Sequence, residues 1–495
     1  LYSKSISTAP TTWLPHKFGY GGALLLTLLV LLVIAIIAIK WGKNSTPIAN
    51  PVSERITAAS LRQSLFINRW RPLTTGAIFG VIGTIAYLRI EPLGVTRQLS
   101  TTSRTYFEGK GWIPQNLDGL DLMAGCVAVV SDTIVNNGWL IYLLPVAGLV
   151  IGLTYHHFGN HVSRGSNLVL EEIHEPGAGV PRRMAPMVFA ATFVSHLFGA
   201  STGREGAGIQ ITSSIVDGVA RMFSPSLETR RLLLITAIAA AFGGLFGVPI
   251  AGVVFALEFQ ESGRIRYEAI LSALTAALVA FYAVESFNLE HLTENTLGPI
   301  DINASLVWKL VVLAAVSAAL AMSFVKATHF VHKTAARFIT WPPLRPVVGA
   351  LLVLALVALS GSRDYLGLSG PLARQAFIGA TGITAAAFAW KFVFTSISLG
   401  TGFIGGEMVP LFIIGALAGA QVATVLGASV PLFAAVGMVA TFSAAANAPI
   451  ACVIMGIELF GANALIPFTI ACVLSYAVSG HGGIYSAQKR TAIRH

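Results

Sequence analysis

Gly247-Val248-Pro249-Ile250-Ala251, followed by apolar residues up to Glu258, recurs as Asn447-Ala448-Pro449-Ile450-Ala451, followed by apolar residues up to Glu458. In both copies the glutamate stands nine positions after the proline. Upstream, Gly203-Arg204-Glu205-Gly206 has a looser counterpart in Gly405-Gly406-Glu407 at nearly the same spacing. Two glycine/glutamate elements and two proline-to-glutamate elements in one register predict two homologous halves, about 165–288 and 370–480. Repeats of this kind place their interface near the bilayer midplane.

Composition says what those halves sit in. The 495 residues are 55% apolar and only 11% charged, with a mean hydropathy of +0.73. Soluble domains carry about 25% charged residues, so an ordinary cytosolic enzyme and a disordered chain are both excluded. Apolar runs at 139–155, 267–284, 305–325 and 346–359 approach the ~20 residues that cross a bilayer as a helix. Between them lie shorter segments broken by Gly and Pro, around Gly203 and around Gly402 to Pro410. Such breaks are tolerated at membrane depth only where backbone faces protein or a watery cavity. The fold class expected is an all-α polytopic membrane protein with two inverted repeats of long and broken helices.

The formal charge of +10 fits basic loops of a membrane protein better than nucleic-acid binding, and no basic run is interleaved with aromatics. Cys126, Cys452 and Cys472 are too far apart for a disulfide framework or a metal cluster, and the later two read as small buried hydrophobes. No cofactor is expected. Residues 1–138 stand outside the repeat and hold about two spans, 21–39 and 73–88. The first is too long for a signal-peptide core and reads as retained. This front region is set apart from 139–495 as a possible fusion.

From Met184 to Ile215 the only charged residues are Arg204 and Glu205, and between Lys391 and Glu458 the only one is Glu407. A charge at a helix centre in lipid costs at least ~2.5–3.5 kcal/mol, so each needs a reason. The bland reading puts both glutamates at helix ends in the headgroup region. The sharper one follows from their surroundings. Gly199, Gly203, Gly206 and Gly208 leave backbone N–H groups unshielded. A short helix starting there aims its positive end into the membrane and makes an anion site without a full positive charge. The same holds for the turn before Glu407 and for Gly165-Ser166-Asn167 opening another helix. A carboxylate at an anion site is itself a tethered anion, present when ionised and absent when protonated. Permeation there becomes linked to protons.

Two formal matches are discounted. Gly400-Thr-Gly402-Phe-Ile-Gly405 fits a dinucleotide fingerprint, and Gly199-Ala-Ser201-Thr-Gly203 fits a nucleophile elbow. Neither lies in the strand–helix context that its chemistry requires. His156, His157 and His196 read as solvated or hydrogen-bonded rather than as metal ligands. No nucleophile–base pair is readable, so no enzyme is expected.

Over residues 139–495 these motifs resemble the CLC family of anion channels and anion/proton antiporters. Gly165-Ser166-Asn167 looks like the first filter element, Gly-Ser-Gly-Ile-Pro, and departs from its last three positions at Asn167-Leu168-Val169. Gly203-Arg204-Glu205-Gly206 matches the G-[KR]-E-G-P element, with Ala207 in place of Pro. Gly406-Glu407-Met408-Val409-Pro410 looks like the G-x-F-x-P region, and Tyr485 resembles the central anion-coordinating tyrosine.

Chloride-type antiporters carry a second glutamate directly after the position of Glu258, where this chain has Phe259. It carries Glu407 in the third filter element instead, as the fluoride/proton branch does. Against that branch, Ser166 is the chloride-type residue and Val409 replaces a Thr. Separately, the stretch from Arg89 to Thr96, with Gly125-Cys126, resembles a piece of the YeeE/YedE family of sulfur-compound transporters.

The resemblance implies transport of a small monovalent anion, fluoride first and chloride second, by proton-coupled antiport in a homodimer. Glu205 and Glu407 would be the gating and proton-transfer residues. Gly165, Ser166, Asn167, Gly203, Arg204, Gly206, Met408, Val409 and Tyr485 would bind the anion. The partners are then a small inorganic anion, protons and the lipid bilayer of a bacterial inner membrane. A chloride channel without proton coupling and a thiosulfate-type transporter are the alternatives.

Overall fold

The computed structural model describes residues 139–262, 266–286, 297–379, 384–480 and 482–490. The spans expected at 21–39 and 73–88, and Cys126, lie outside them.

The described chain is helical throughout apart from a two-residue parallel pair, Glu261–Ser262 with Lys489–Arg490. Seven helices form the first half: α1 (Leu144–Phe158), α2 (Ser166–His174), α3 (Met184–Leu197), α4 (Glu205–Ala220), α5 (Leu227–Phe246), α6 (Pro249–Glu258) and α7 (Ile270–Ser286). A long helix, α8 (Ala304–Phe338), follows. Seven more match the first set in order: α9 (Leu344–Ser360), α10 (Gly370–Ile378), α11 (Ala387–Thr401), α12 (Met408–Leu426), α13 (Val430–Ala446), α14 (Pro449–Phe460) and α15 (Leu465–Ser479). Six helical segments among the described residues are long and apolar enough to cross a membrane.

Where the helices start is local chemistry. Ahead of α1 the expected run at 139–155 begins with a 3-10 turn, Leu140–Leu143, and the α-helix starts only at Leu144. Pro145 explains the shift, because its missing N–H costs nothing in the first turn. α8 outruns the expected 305–325 and continues to Phe338 through Lys326, Lys333 and Arg337. Nothing in that basic stretch breaks a helix, and Pro342 comes only after it. Its 35 residues extend about 52 Å at 1.5 Å per residue, well beyond the ~30 Å hydrocarbon layer. Asn303 caps its start, its side-chain oxygen accepting from Leu306 N at 2.8 Å.

The repeat mates α5 and α13 both lie in the core. A helix that is apolar all round is buried all round, and every residue of α13 from Leu432 to Ala446 is buried. α12 packs on α13 with Gly415 and Gly437 back to back, each so close that a Cβ would strike the other's carbonyl oxygen. Outer helices keep large apolar side chains exposed, such as Val150, Leu351, Leu359 and Val478. That is the arrangement lipid requires, not an unpartnered core.

The proline-to-glutamate repeat has a direct structural cause. Glu258, at the end of α6, accepts from the amides of Ile450 (3.3 Å) and Ala451 (2.9 Å) in the first turn of α14. Glu458, at the end of α14, accepts from Ile250 (3.0 Å) and Ala251 (2.8 Å) in the first turn of α6. Each half thus caps the other, and the two helices run antiparallel. A second buried cluster fixes α2 against α4 and α5. Arg230 of α5 holds Glu172 of α2 at 2.7 Å and Asp217 of α4 at 2.6 Å. The same two carboxylates accept backbone N–H groups from Gly177, Gly179 and Val180. Removing one member of such a buried set costs about 3–5 kcal/mol, since the others stay charged and dry.

Candidate functional site

The two glycine/glutamate turns meet. Gly203 and Gly406 form an isolated antiparallel bridge, in which Gly203 N donates to Gly406 O at 2.8 Å. The contact demands glycine: a Cβ on Gly406 would stand 2.5 Å from Gly206 N, and one on Gly206 would stand 2.9 Å from Gly406 Cα. The bridge therefore sets the starts of α4 and α12 side by side. Glu205 is the first residue of α4, and Glu407 is the N-cap of α12.

Glu205 is 4% exposed, enclosed by protein at the start of its helix. Its carboxylate accepts from Arg204 N at 2.9 Å and from Arg204 Nε at 3.1 Å, and its own backbone amide also reaches it. Glu407 is partly buried, and the one hydrogen bond its carboxylate accepts comes from its own backbone. Its charge also acts on the Tyr485 phenol.

The first anion element arrives on α2. Gly165 caps that helix with φ +59°, a left-handed conformation that suits glycine. The slot its missing Cβ leaves is faced by Gln210 of α4, whose Nε2 would lie 3.2 Å from such a Cβ. Gln210 Nε2 also donates to Ser166 Oγ at 3.4 Å. Asn167 Oδ1 accepts from Ala487 N at 3.0 Å, which ties the first turn of α2 to the segment carrying Tyr485. Tyr485 is 3% exposed, and its hydroxyl has no hydrogen-bond partner. Met408 lies in the same apolar cluster as Tyr485, and Val409 packs against that cluster. Bonds thus link α4 to the starts of α2 and α12, and α2 to the Tyr485 segment, and each helix start favours negative charge by about 0.3–1 kcal/mol, up to ~2 where partly buried.

Sequence reasoning missed the scaffold behind Glu205. Lys391, Thr395 and Ser398 lie at i, i+4 and i+7 on one face of α11, and all three bond to Ser201. Lys391 is fully buried, donating to Ser201 Oγ (2.9 Å), Gly367 O (2.7 Å) and Tyr365 O (3.3 Å). His196 places its ring nitrogens 2.8 Å from Thr192 O and 3.0 Å from Thr202 O. Both residues pin the segment that delivers Gly203. The readable signal was a lysine on an apolar helix with hydroxyls at helical spacing. Gln210, one turn past Glu205, carried no such mark. Cys452 and Cys472 are buried and unpaired. Among the described residues no cluster of His, Cys, Asp or Glu could hold a metal ion.

Comparison with known proteins identifies the family and the fold. Residues 147–480 match the family model described as voltage gated chloride channel, and residues 1–163 match one described as sulphur transport. A "Chloride/fluoride channel protein" of Pseudomonas syringae pv. tomato is 41% identical over 368 residues, covering 72% of this chain and 80% of that one. A "Putative chloride channel protein ClcB-like" of Ralstonia nicotianae is 27% identical over 377 residues, covering 72% and 86%. Among solved structures, a CLC-type fluoride/proton antiporter superposes with a TM-score of 0.73 at 27% identity, over 88% of this chain and 100% of that one. A slow cyanobacterial Cl⁻/H⁺ antiporter, at 18% identity and a TM-score of 0.64, shares the fold.

Proposed function

The chain belongs to the voltage-gated chloride channel (CLC) family, and from that premise we propose that it carries fluoride, with chloride second, across the membrane in exchange for protons. One observation carries the reading. Two carboxylates stand at adjacent helix starts across the Gly203–Gly406 bridge, and neither is bonded outside its own turn.

Ionised, Glu205 occupies the positive end of α4 and excludes an anion from it. Protonated, it loses that attraction, swings away and leaves the place to fluoride. The anion then meets amides of Ser166, Asn167 and Gly206, with the Tyr485 hydroxyl as a neutral donor. Gly165 and Gly203 give the backbone room to approach, and Arg204 holds the ionised gate. Met408 and Val409 form the apolar wall of the third filter element. Glu407 is the second proton site, taking the part that the internal glutamate plays in chloride-type antiporters, where this chain has Phe259. The names of the Pseudomonas relative and of the fluoride/proton antiporter structure favour fluoride. The working unit is a homodimer in a bacterial inner membrane. The test is fluoride and chloride efflux from proteoliposomes with simultaneous pH recording; fluoride efflux without opposing proton movement would refute antiport.

A second reading is favoured by one finding, the match of residues 1–163 to sulphur transport. On that reading the front region handles a sulfur oxyanion such as thiosulfate. Thiosulfate uptake that survives Glu205→Gln but is lost in Cys126→Ala would support it.

A further inference from the structure

Tyr485 offers the anion a hydroxyl that nothing in the protein holds, so something else must fix its position. The segment around it is tied down at several points. Ile484 N donates to Ala445 O at 2.9 Å, Ala487 N to Asn167 Oδ1 at 3.0 Å and Lys489 N to Gln260 O at 3.2 Å. The Tyr485 ring meets Phe259 edge-on, with centroids 4.5 Å apart.

At the centre of these ties is Gln488, 7% exposed. Its Nε2 donates to Phe259 O and to Ala446 O, both at 3.1 Å. Its Oε1 accepts from Asn447 Nδ2 at 3.0 Å. Its own amide donates back to Tyr485 O at 3.2 Å. Phe259 closes α6 and Ala446 closes α13, so one side-chain amide gathers the last carbonyls of a helix from each half. Both donors and the acceptor are used, which leaves this amide one orientation.

We propose that Gln488 is the positioning residue that sets the height of the Tyr485 hydroxyl against the first turn of α2, and through it the size of anion the site prefers. Asn167 is the opposite anchor of the same strap: its side chain holds the Tyr485 segment while its helix start faces the anion. The proposal rests on the anion-transport reading above. An apolar residue at 488 leaves two helix-end carbonyls and the Asn447 amide without their partner, and the strap slackens. A looser strap widens the gap that a small anion must bridge, so fluoride suffers more than chloride.

Two readouts on Gln488→Met decide it. In proteoliposomes the fluoride-to-chloride flux ratio should fall by about fivefold or more, the equivalent of one kcal/mol of discrimination. In a cycle with Tyr485→Phe the two changes should be non-additive, because Gln488 acts through the phenol. Additive effects, or an unchanged ratio, would overturn the proposal. Independently of transport, 3-fluorotyrosine at position 485 should show a shifted or broadened fluorine resonance in Gln488→Met; an unmoved resonance overturns the strap. If wild-type protein passes neither anion, the transport reading fails and the fluorine resonance still judges the strap. Should Gln488→Met fail to fold, Asn167→Ala, which cuts only the link to Ala487, is read by the same two measurements.

Discussion

Four glutamates form two pairs at equivalent places in the two halves, and the two pairs are held in opposite ways. Glu258 and Glu458 each accept two backbone amides from the other half. Glu205 and Glu407 take hydrogen bonds only from their own turns. A carboxylate held by two amides of a foreign helix is a rivet, since moving it would orphan four polar groups at once. A carboxylate held by its neighbour can leave without disturbing the fold. Burial alone does not separate the pairs, because Glu258 and Glu205 are both almost fully enclosed. The donors that reach each group decide its role.

The sharpest way to break this comparison is to neutralise one member of each pair. Glu205→Gln should abolish proton movement in liposome flux assays while anion flux persists, because the tethered charge that competes with the anion is gone. Glu258→Gln should keep proton coupling and lower thermal stability instead. Ile450 N donates to one carboxylate oxygen and Ala451 N to the other; in glutamine one of those positions becomes an NH2 that cannot accept, and a buried donor left without its partner costs about 1–3 kcal/mol. Coupling lost in Glu258→Gln, or retained in Glu205→Gln, would dissolve the distinction.

The same pairs show what a sequence can reveal. The repeat was legible because the cap geometry forces proline and glutamate to a fixed spacing in both halves. Glu205 and Glu407 stood out because isolated charges in apolar stretches are costly. The 35-residue length of α8 was hidden, because apolarity marks the membrane-buried part of a helix and not where it ends. Gln210 and Gln488 were hidden for another reason. An uncharged amide, whether inside a helix as Gln210 is or in a turn as Gln488 is, carries no charge cost that marks it in the sequence, and its importance lies in contacts with α2, α6 and α13 that are distant along the chain. Lys391 was half legible: its charge was visible, but its partner Ser201 lies in the other half.

Glu407→Gln sharpens the comparison from the other side. It should slow coupled transport roughly a hundredfold, in the range that a positioned proton-transfer group contributes, with little change in melting temperature. Glu458→Gln should reverse that ranking. Gly406→Ala tests the bridge that brings the mobile pair together. Its new Cβ would press on Gly206 N at 2.5 Å, and overpacking of this kind costs about 1–3 kcal/mol. Stability and flux should fall together, unlike any of the four glutamate variants, which affect one or the other.

The smallest effect guards the pH readout itself. His174, at the end of α2 and outside the candidate spans, has its Nε2 2.9 Å from Gln260 O. Burial pushes its pKa below the usual 6.5; the Gln260 carbonyl opposes this, and Lys489 and Arg266 add to it. A histidine with a lowered folded pKa binds fewer protons folded than unfolded, so its stabilisation is complete above about pH 6.5 and is lost as the pH falls. Wild-type protein should therefore melt at a lower temperature at pH 5.5 than at pH 7.5, and His174→Gln should narrow that gap. Proton-coupled flux should keep its full pH dependence in the same variant, because the proposed mechanism assigns it to Glu205 and Glu407. If His174→Gln flattened the flux profile as well, acid-induced loosening of α2 and not carboxylate protonation would be setting the rate, and the division between fixed and movable carboxylates would lose its kinetic support.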